Sequence, residues 1–215
     1  MNKKNLTAFF GGSFNPPHNG HLGVAQGALN SGLCSKVIWV PSWSQPHKQD
    51  KKAAPFHHRL AMVNLLIEGT KNMFASDLEE RIKLQPSYTF EVLKHFAAEL
   101  PDNEEAALLI GADSLLELHT WHRAQELAER FELLVYPRPN CTATYGKLLE
   151  KFPPHLAEKL EKSLLDGEFF EISSTLLRFS MEKSANWDNI ISMTPGPVAE
   201  YCRRHGLYTN NRSSR

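Results

Sequence analysis

Residues 6–22 read LTAFFGGSFNPPHNGHL. A short apolar run, Leu6 to Phe10, stops at Gly11-Gly12, and a proline-containing loop follows, Ser13-Phe14-Asn15-Pro16-Pro17. His18 and His21 then stand three apart around Gly20, with helical apolar spacing at Leu22, Ala25 and Leu29. The order is strand, glycine turn, helix start. In α/β proteins backbone N–H groups and the positive end of a helix converge at such a turn, and phosphates bind there. Neither of the two commonest phosphate loops is present, G-x-x-x-x-G-K-[ST] or G-x-G-x-x-G. Two histidines stand in place of the P-loop lysine.

Working outward, residues 36–40 (KVIWV) are β-branched and aromatic, are closed by Pro41, and read as a second buried strand. That completes a β-α-β unit, which predicts a parallel sheet with a right-handed crossover. Residues 41–55 (PSWSQPHKQDKKAAP) form a long polar loop, of the kind that is usually functional or mobile. The spacing predicts a helix over 57–68 and a strand over 73–78. A further helix opens at Ser87-Tyr88-Thr89, with Ser87 or Thr89 as its N-cap. Residues 106–110 (AALLI) and 132–136 (ELLVY) read as strands; between them Asp113 caps a helical stretch that breaks near His119-Thr120 and resumes over 121–131. Residues 140–165 are charged and helical, with one helix over 155–165. Residues 169–172 (FFEI) read as a short strand, followed by Ser173-Ser174-Thr175, a helix from Leu176 and a last helix over 197–205. This alternation predicts an α/β fold, a Rossmann-like doubly wound parallel sheet with a small C-terminal helical subdomain. One domain is expected over 1–208, its subdomain beginning near 165, with a tail over 209–215.

Composition narrows the function classes. The chain has 215 residues, with 24 Lys plus Arg against 24 Asp plus Glu, so no global basic field points to nucleic acid or a membrane surface. An anionic ligand must be held by local positive groups. The three cysteines, Cys34, Cys141 and Cys202, are scattered and form no C-x-x-C, which fits reduced thiols in a cytoplasmic protein. The apolar run behind Lys3 and Lys4 is too short for a secretion signal, and no stretch is long enough to span a bilayer.

In this architecture ligands bind beyond the carboxyl ends of the strands. Those ends carry Gly11-Gly12, Pro41-Ser42, Gly111-x-Asp113 and Ile172-Ser173-Ser174-Thr175. Their convergence would gather two histidines, an aspartate, three hydroxyls and Arg178 around one crevice. His18 and His21 share one helix face in the first turn. An arbitrary H-x-x-H reads as local capping or packing, and as a zinc site it lacks the H-E-x-x-H spacing. The Gly-Gly strand end ahead of it turns the reading toward phosphate. Ser173-Ser174-Thr175 reads either as a simple N-cap or, with Arg178 one turn later, as a set of phosphate donors. There is no G-x-S-x-G and no Cys/His nucleophile motif.

GGSFNPPHNGHL resembles the signature of the nucleotidylyltransferase superfamily with its [HT]-x-G-H motif, and residues 172–178 (ISSTLLR) resemble that superfamily's second motif, I-S-[ST]-T-x-[IL]-R. Pro46-His47-Lys48, Ser87-Tyr88-Thr89, Gly111-Ala112-Asp113-Ser114-Leu115 and Trp121 are similar, in order, to the bacterial nicotinate-mononucleotide adenylyltransferases, as are Val198, Tyr201 and His205-Gly206-Leu207-Tyr208. The resemblance implies transfer of AMP from ATP to nicotinate mononucleotide, giving deamido-NAD and pyrophosphate, with Mg²⁺ held mainly by the ATP phosphates and no metal held by the protein. It implies His18, His21 and Arg178 as the catalytic set, with Gly11, Gly12, Ser13, Phe14, Gly20, Gly111, Asp113, Ile172, Ser173, Ser174 and Thr175 around ATP. On the mononucleotide side it implies Asn15, Lys48, Tyr88, Thr89, Asp113, Trp121 and Arg138. The expected partners are those two substrates, with neither nucleic acid nor membrane, and a homo-oligomer is admitted. Asn15 stands where the family commonly has Asp, and Gln45 where it has Pro. These departures keep nicotinamide mononucleotide as the alternative acceptor. Other small-molecule nucleotidyltransferases and a non-catalytic nucleotide sensor are the remaining rivals.

Overall fold

In the computed structural model, which describes residues 5–43, 53–139, 141–167, 172–183 and 186–209, the chain runs β1 (Asn5–Gly12), α1 (Asn19–Asn30), β2 (Cys34–Pro41), α2 (Phe56–Ile67), β3 (Met73–Ala75), α3 (Leu78–Ile82), α4 (Thr89–Glu99) and β4 (Glu104–Gly111). It continues through α5 (Ala112–Glu117), a single 3-10 turn (Leu118–Thr120), α6 (Ala124–Arg130), β5 (Glu132–Tyr136), α7 (Tyr145–Leu149), α8 (Pro154–Lys162), α9 (Ser174–Glu182), α10 (Trp187–Met193) and α11 (Gly196–Arg204). The five strands form one parallel sheet in the order β3-β2-β1-β4-β5.

The central strands are apolar without a break because both faces of the sheet are covered. Successive side chains of a strand point to opposite faces, and the two cores divide accordingly. Ala8 and Phe10 of β1, Ala107 and Leu109 of β4, and Leu134 and Tyr136 of β5 join Val24, Trp39, Met62 and the C-terminal residues Leu177, Val198 and Cys202. Phe9, Leu108, Ile110, Leu133 and Val135 face the other way, onto Phe90, Leu93, Leu115, Leu127 and Leu156. This is a doubly wound Rossmann-like α/β fold, with α9, α10 and α11 joining α1 and α2 on one face.

The strand order reverses between β1 and β4, the switch point at which such sheets open a crevice. Here the opening is visible in the register. β1 pairs with β4 only from Asn5↔Glu104 to Phe9↔Leu108, while β1 stays with β2 as far as Gly12↔Pro41 and β4 with β5 as far as Gly111↔Tyr136. The two central strands part company over their last residues.

Several local expectations are corrected. The strand at 73 stops at Ala75, because the Ser76 hydroxyl accepts the Leu78 N–H (3.2 Å) and turns the chain into α3. The N-cap of α4 is Tyr88, not Ser87 or Thr89: Thr89 is already helical, and the Ser87 hydroxyl donates to Glu79 instead (2.6 Å). Asp113 lies inside α5, whose N-cap is Gly111. The helix after the 3-10 turn resumes at Ala124 rather than Trp121, since Arg123 takes a left-handed φ of 56° at its start. The helix expected over 155–165 ends at Lys162; beyond it Ser163 and Leu165 bond to both sides of Val135 (2.9 and 2.8 Å) and extend the sheet edge. Helix α9 begins at Ser174 rather than Leu176, and α10 was not anticipated from the sequence. Ile172 is not in a strand, and residues 169–171 lie outside the described residues, as do Pro46, His47 and Lys48.

Candidate active site

The parted ends of β1 and β4 open into a cavity of 690 Å³. It is lined from the β1 side by Ser13, Asn15, His18 and His21, from the β4–β5 side by Asp113, Arg138, Pro139 and Cys141, and from the C-terminal helices by Ile172, Ser173, Ser174, Thr175 and Arg178. Ser42, Trp43, Ala53 and Arg59 complete it. Helices α1 and α9 both begin here, and neither carries an acidic residue in its first turn, so their positive ends face the cavity uncompensated. A Cβ at Gly111 would press on Asp113 Oδ1 and Arg138 Nε, so a side chain there would displace both. The bare backbone lets that acid–base pair approach to 3.7 Å at the strand end.

His18 is the N-cap of α1 in extended conformation, and its carbonyl starts the helix by accepting from His21 N–H (2.9 Å) and Leu22 N–H (3.2 Å). The two imidazoles stack, 3.7 Å between centroids at 29°. Beneath His21 lies Phe14 (5.2 Å), a buried ring whose residue holds a left-handed φ of 45° against Phe10 and Trp39. Such a conformation costs roughly 1–3 kcal/mol in a non-glycine residue, and the aromatic packing offsets it. The main-chain N–H of His18 donates to His21 Nδ1 (3.3 Å). With that lone pair taken, the neutral His21 ring carries its proton on Nε2. Burial and the neighbouring Arg138 guanidinium pull the His18 pKa down to about 4. Burial, then His18 and Arg138, hold His21 well below the ordinary histidine value. Both rings are neutral near pH 7 in the ligand-free protein, and His18 Nδ1 is buried with no hydrogen-bond partner among the described residues.

The loop Asn15-Pro16-Pro17 leads from β1 to His18. Prolines contribute carbonyls but no N–H, and all three consecutive carbonyls accept from side chains of the C-terminal helices and the turn after α10. Arg178 Nη1 donates to Asn15 O (2.7 Å), Ser174 Oγ to Pro16 O (2.9 Å) and Thr194 Oγ1 to Pro17 O (3.1 Å). Ser173 Oγ caps α9 by accepting Leu176 N–H (3.1 Å), and Thr175 Oγ1 accepts from Arg178 Nη2 (3.2 Å). The side-chain oxygen of Asn15 accepts from Ala54 N–H (3.0 Å) and Tyr208 O–H (2.7 Å).

A cavity lined by histidines and arginines and by two helix starts presents hydrogen-bond donors and positive charge. The cytidylyltransferase-like family model matches residues 9–180. A relative from Symbiobacterium thermophilum, named "Probable nicotinate-nucleotide adenylyltransferase", is 37% identical over 207 residues, covering 96% of each chain. One of the same name from Clostridium tetani is 33% identical and covers 97% of this chain and 100% of its own. The chain belongs to the nicotinate-nucleotide adenylyltransferase family, within the cytidylyltransferase-like nucleotidyltransferases. Members of this family are nucleotidyltransferases of NAD biosynthesis. The fold agrees as well. Plasmodium falciparum nicotinic acid mononucleotide adenylyltransferase, in a structure complexed with NaAD, superposes with a TM-score of 0.75 over 95% of this chain at 20% identity.

Against the family expectation, the cavity gathers Ser13, Asn15, His18, His21, Asp113, Arg138, Ile172, Ser173, Ser174, Thr175 and Arg178. Gly11, Gly12, Phe14, Gly20 and Gly111 do not line it. Tyr88, Thr89 and Trp121 are not among its lining residues. Tyr88 stacks on His122 (4.2 Å, 18°), and Trp121 packs partly buried against the second core. Lys48 lies outside the described residues. Sequence reasoning missed Arg59, Trp43 and Cys141. Arg59 is a charged residue inside an otherwise ordinary amphipathic helix, and nothing in that pattern marks it.

Proposed function

We propose that the chain transfers AMP from ATP to nicotinate mononucleotide, releasing pyrophosphate and forming deamido-NAD. The observation that carries the reading is the cavity at the β1–β4 switch point, where two helix starts, His18, His21, Arg138 and Arg178 meet. The attacking group in this reaction is a phosphate oxygen already ionised at neutral pH, so no general base is required. Positioning and charge stabilisation around the α-phosphate suffice. The lining residues fit that demand, offering donors and cations with Asp113 as the single carboxylate among those described.

In this reading the backbone at Ser13 and the start of α1 receive the ATP phosphates. His21 donates from Nε2 toward the α-phosphate, where negative charge grows in the transition state. Entry of the polyphosphate raises both histidine pKa values, because an anion favours the charged ring. Arg178 and the hydroxyls of Ser173 and Thr175 at the start of α9 hold the β- and γ-phosphates of the leaving pyrophosphate, while the Ser174 hydroxyl stays on Pro16 O. The mononucleotide lies toward Asp113 and Arg138, with Tyr88, Thr89 and Trp121 beyond them.

Among the described residues no group of three His, Cys, Asp or Glu is placed to hold a metal ion. Mg²⁺ suits the site as an ion carried by ATP phosphates and water, with Asp113 the carboxylate nearest to hand, and it supplies charge neutralisation on the phosphates. No described helix is long and apolar enough to cross a membrane. Cytoplasmic placement rests on Cys34, Cys141 and Cys202, all free thiols. The test is pyrophosphate release by the purified protein with Mg-ATP and, in separate reactions, nicotinate mononucleotide, nicotinamide mononucleotide, phosphopantetheine, or CTP with glycerol phosphate. Release is expected with nicotinate mononucleotide; its absence sinks the proposal.

A further inference from the structure

Arg59, the fourth residue of α2, is 6% exposed yet contributes to the cavity wall. Its guanidinium is spent on backbone carbonyls from three separate segments. Nε donates to Ala54 O (3.0 Å), Nη1 to Ser13 O (2.9 Å) and Nη2 to Ser42 O (2.7 Å). Ser13 belongs to the turn that leads into His18; Ser42 follows β2 and Ala54 precedes α2, so one side chain fixes both flanks of the segment 44–52 against the β1 turn. Glu79, 7% exposed in α3, does the same one layer further out. Its Oε2 accepts the Trp43 N–H (2.9 Å) and the Ser87 O–H (2.6 Å). Burial lowers the Arg59 pKa and raises that of Glu79, while each is favoured by the charge of the other.

We propose that Arg59 and Glu79 are positioning residues for the transfer reaction: Arg59 sets the nucleotide turn at Ser13 against the strand end at Ser42, and Glu79 sets Trp43 against the Ser87-Tyr88-Thr89 turn of the mononucleotide end. Neither residue is in the set that the family signatures name, and neither touches the phosphates in the proposed mechanism. The inference rests on the functional reading above for what binds at each end. The geometry itself stands without it. A fork with three donors aimed at three carbonyls cannot be reproduced by lysine, whose ammonium is a point charge. Both bonds to Glu79 land on one oxygen, so glutamine keeps both acceptor contacts and removes only the charge.

The experiment is a pair of steady-state titrations, ATP and nicotinate mononucleotide each varied, on Glu79→Ala, Glu79→Gln, Ser87→Ala and Arg59→Lys. Losing hydrogen bonds worth about tenfold each, Glu79→Ala is expected to raise the mononucleotide KM roughly tenfold or more and leave that for ATP within about twofold. Glu79→Gln should recover most of this, staying within about threefold of the parent protein. Should Glu79→Ala fail to fold, Ser87→Ala removes one of the two bonds alone and should raise the same KM by roughly three- to tenfold. Arg59→Lys should lower kcat roughly tenfold. Equal shifts in both KM values, a Glu79→Gln as impaired as Glu79→Ala, or an unaltered Ser87→Ala overturns the proposal. If the parent protein does not use nicotinate mononucleotide, it is the functional reading that fails. The positioning role is then read from amide hydrogen exchange: Arg59→Lys should speed exchange in peptides spanning 11–17 and 40–43, and unchanged protection there overturns it.

Discussion

Asn15 and His18, on the β1 arm of the cavity, are each 3% exposed, whereas Leu176 and Phe179, on the α9 arm facing them, stand 47% and 52% open to solvent. The first arm grows out of the sheet: its strand is paired on both sides, its loop is tied by Arg59, and His21 rests on Phe14, which packs in turn on Trp39. The second is a nine-residue helix, fastened across the cavity by the side chains of Arg178 and Ser174, with Thr194 beside it. The β1 arm is preorganised by burial, whereas α9 is buried on one side only, at Leu177, Ser180 and Met181, and is otherwise held by hydrogen bonds to the carbonyls of the β1 loop. A site that must orient a transition state and then release pyrophosphate gains from that asymmetry, since the groups nearest the α-phosphate are rigid and those nearest the leaving group are held lightly.

The sharpest test of the rigid arm is His21→Ala. Removing a preorganised donor at the α-phosphate should lower kcat roughly 100- to 1,000-fold while the ATP KM moves little. An equal loss in ATP binding would make the histidine a ground-state contact only. Arg178→Ala tests the light arm and should differ in kind. It removes a phosphate partner and the tie to Asn15 O together, so kcat/KM should fall about 100-fold with a clear rise in the ATP KM. A fall in kcat alone would place Arg178 with the rigid arm.

A third test exploits burial itself. His18 is neutral in the fold down to about pH 4 but titrates near 6.5 when unfolded. Between those values the unfolded chain binds more protons, so stability falls as the pH is lowered through that window. The full span is worth about 3 kcal/mol. His18→Gln should therefore flatten the decline in Tm between pH 7 and 5, and an identical pH profile would mean that His18 is not held neutral. The smallest effect belongs to the ties of the light arm. Thr194→Val leaves the Pro17 carbonyl without its donor and should lower stability by about 1 kcal/mol. No change in Tm would show that water replaces the hydroxyl freely.

The same contrast explains what the sequence revealed. The rigid arm follows local rules, an apolar run and then a helix, although β1 runs on through Gly11 and Gly12 where the sequence reading stopped it at Phe10; elsewhere the strand over 132–136 is recovered to the residue. Its main omission, Arg59, binds three backbone carbonyls, and backbone acceptors have no side-chain signature. The light arm was read both as a motif and as a helix from Leu176, two residues later than α9 begins. Helix α10 is seven residues long, too short for its apolar spacing to stand out, and the cap expected at Ser87 lost its hydroxyl to a carboxylate eight positions upstream. Tyr88 and Trp121 came from resemblance alone, and the structure keeps both outside the cavity wall. What was legible is local; what was not is set by contacts between distant segments.

The thiols differ along the same line. Burial pushes the Cys34 and Cys202 thiols up to about 11 and about 12, which leaves them almost wholly as unreactive thiol. Cys141 alone is partly exposed, and it sits in the cavity wall beside Arg138. The protein thus carries a built-in chemical reporter of occupancy. A maleimide should modify Cys141 first, inactivate the protein, and be slowed by saturating nicotinate mononucleotide; modification with full retention of activity would mean that this wall of the cavity stays clear of the substrates.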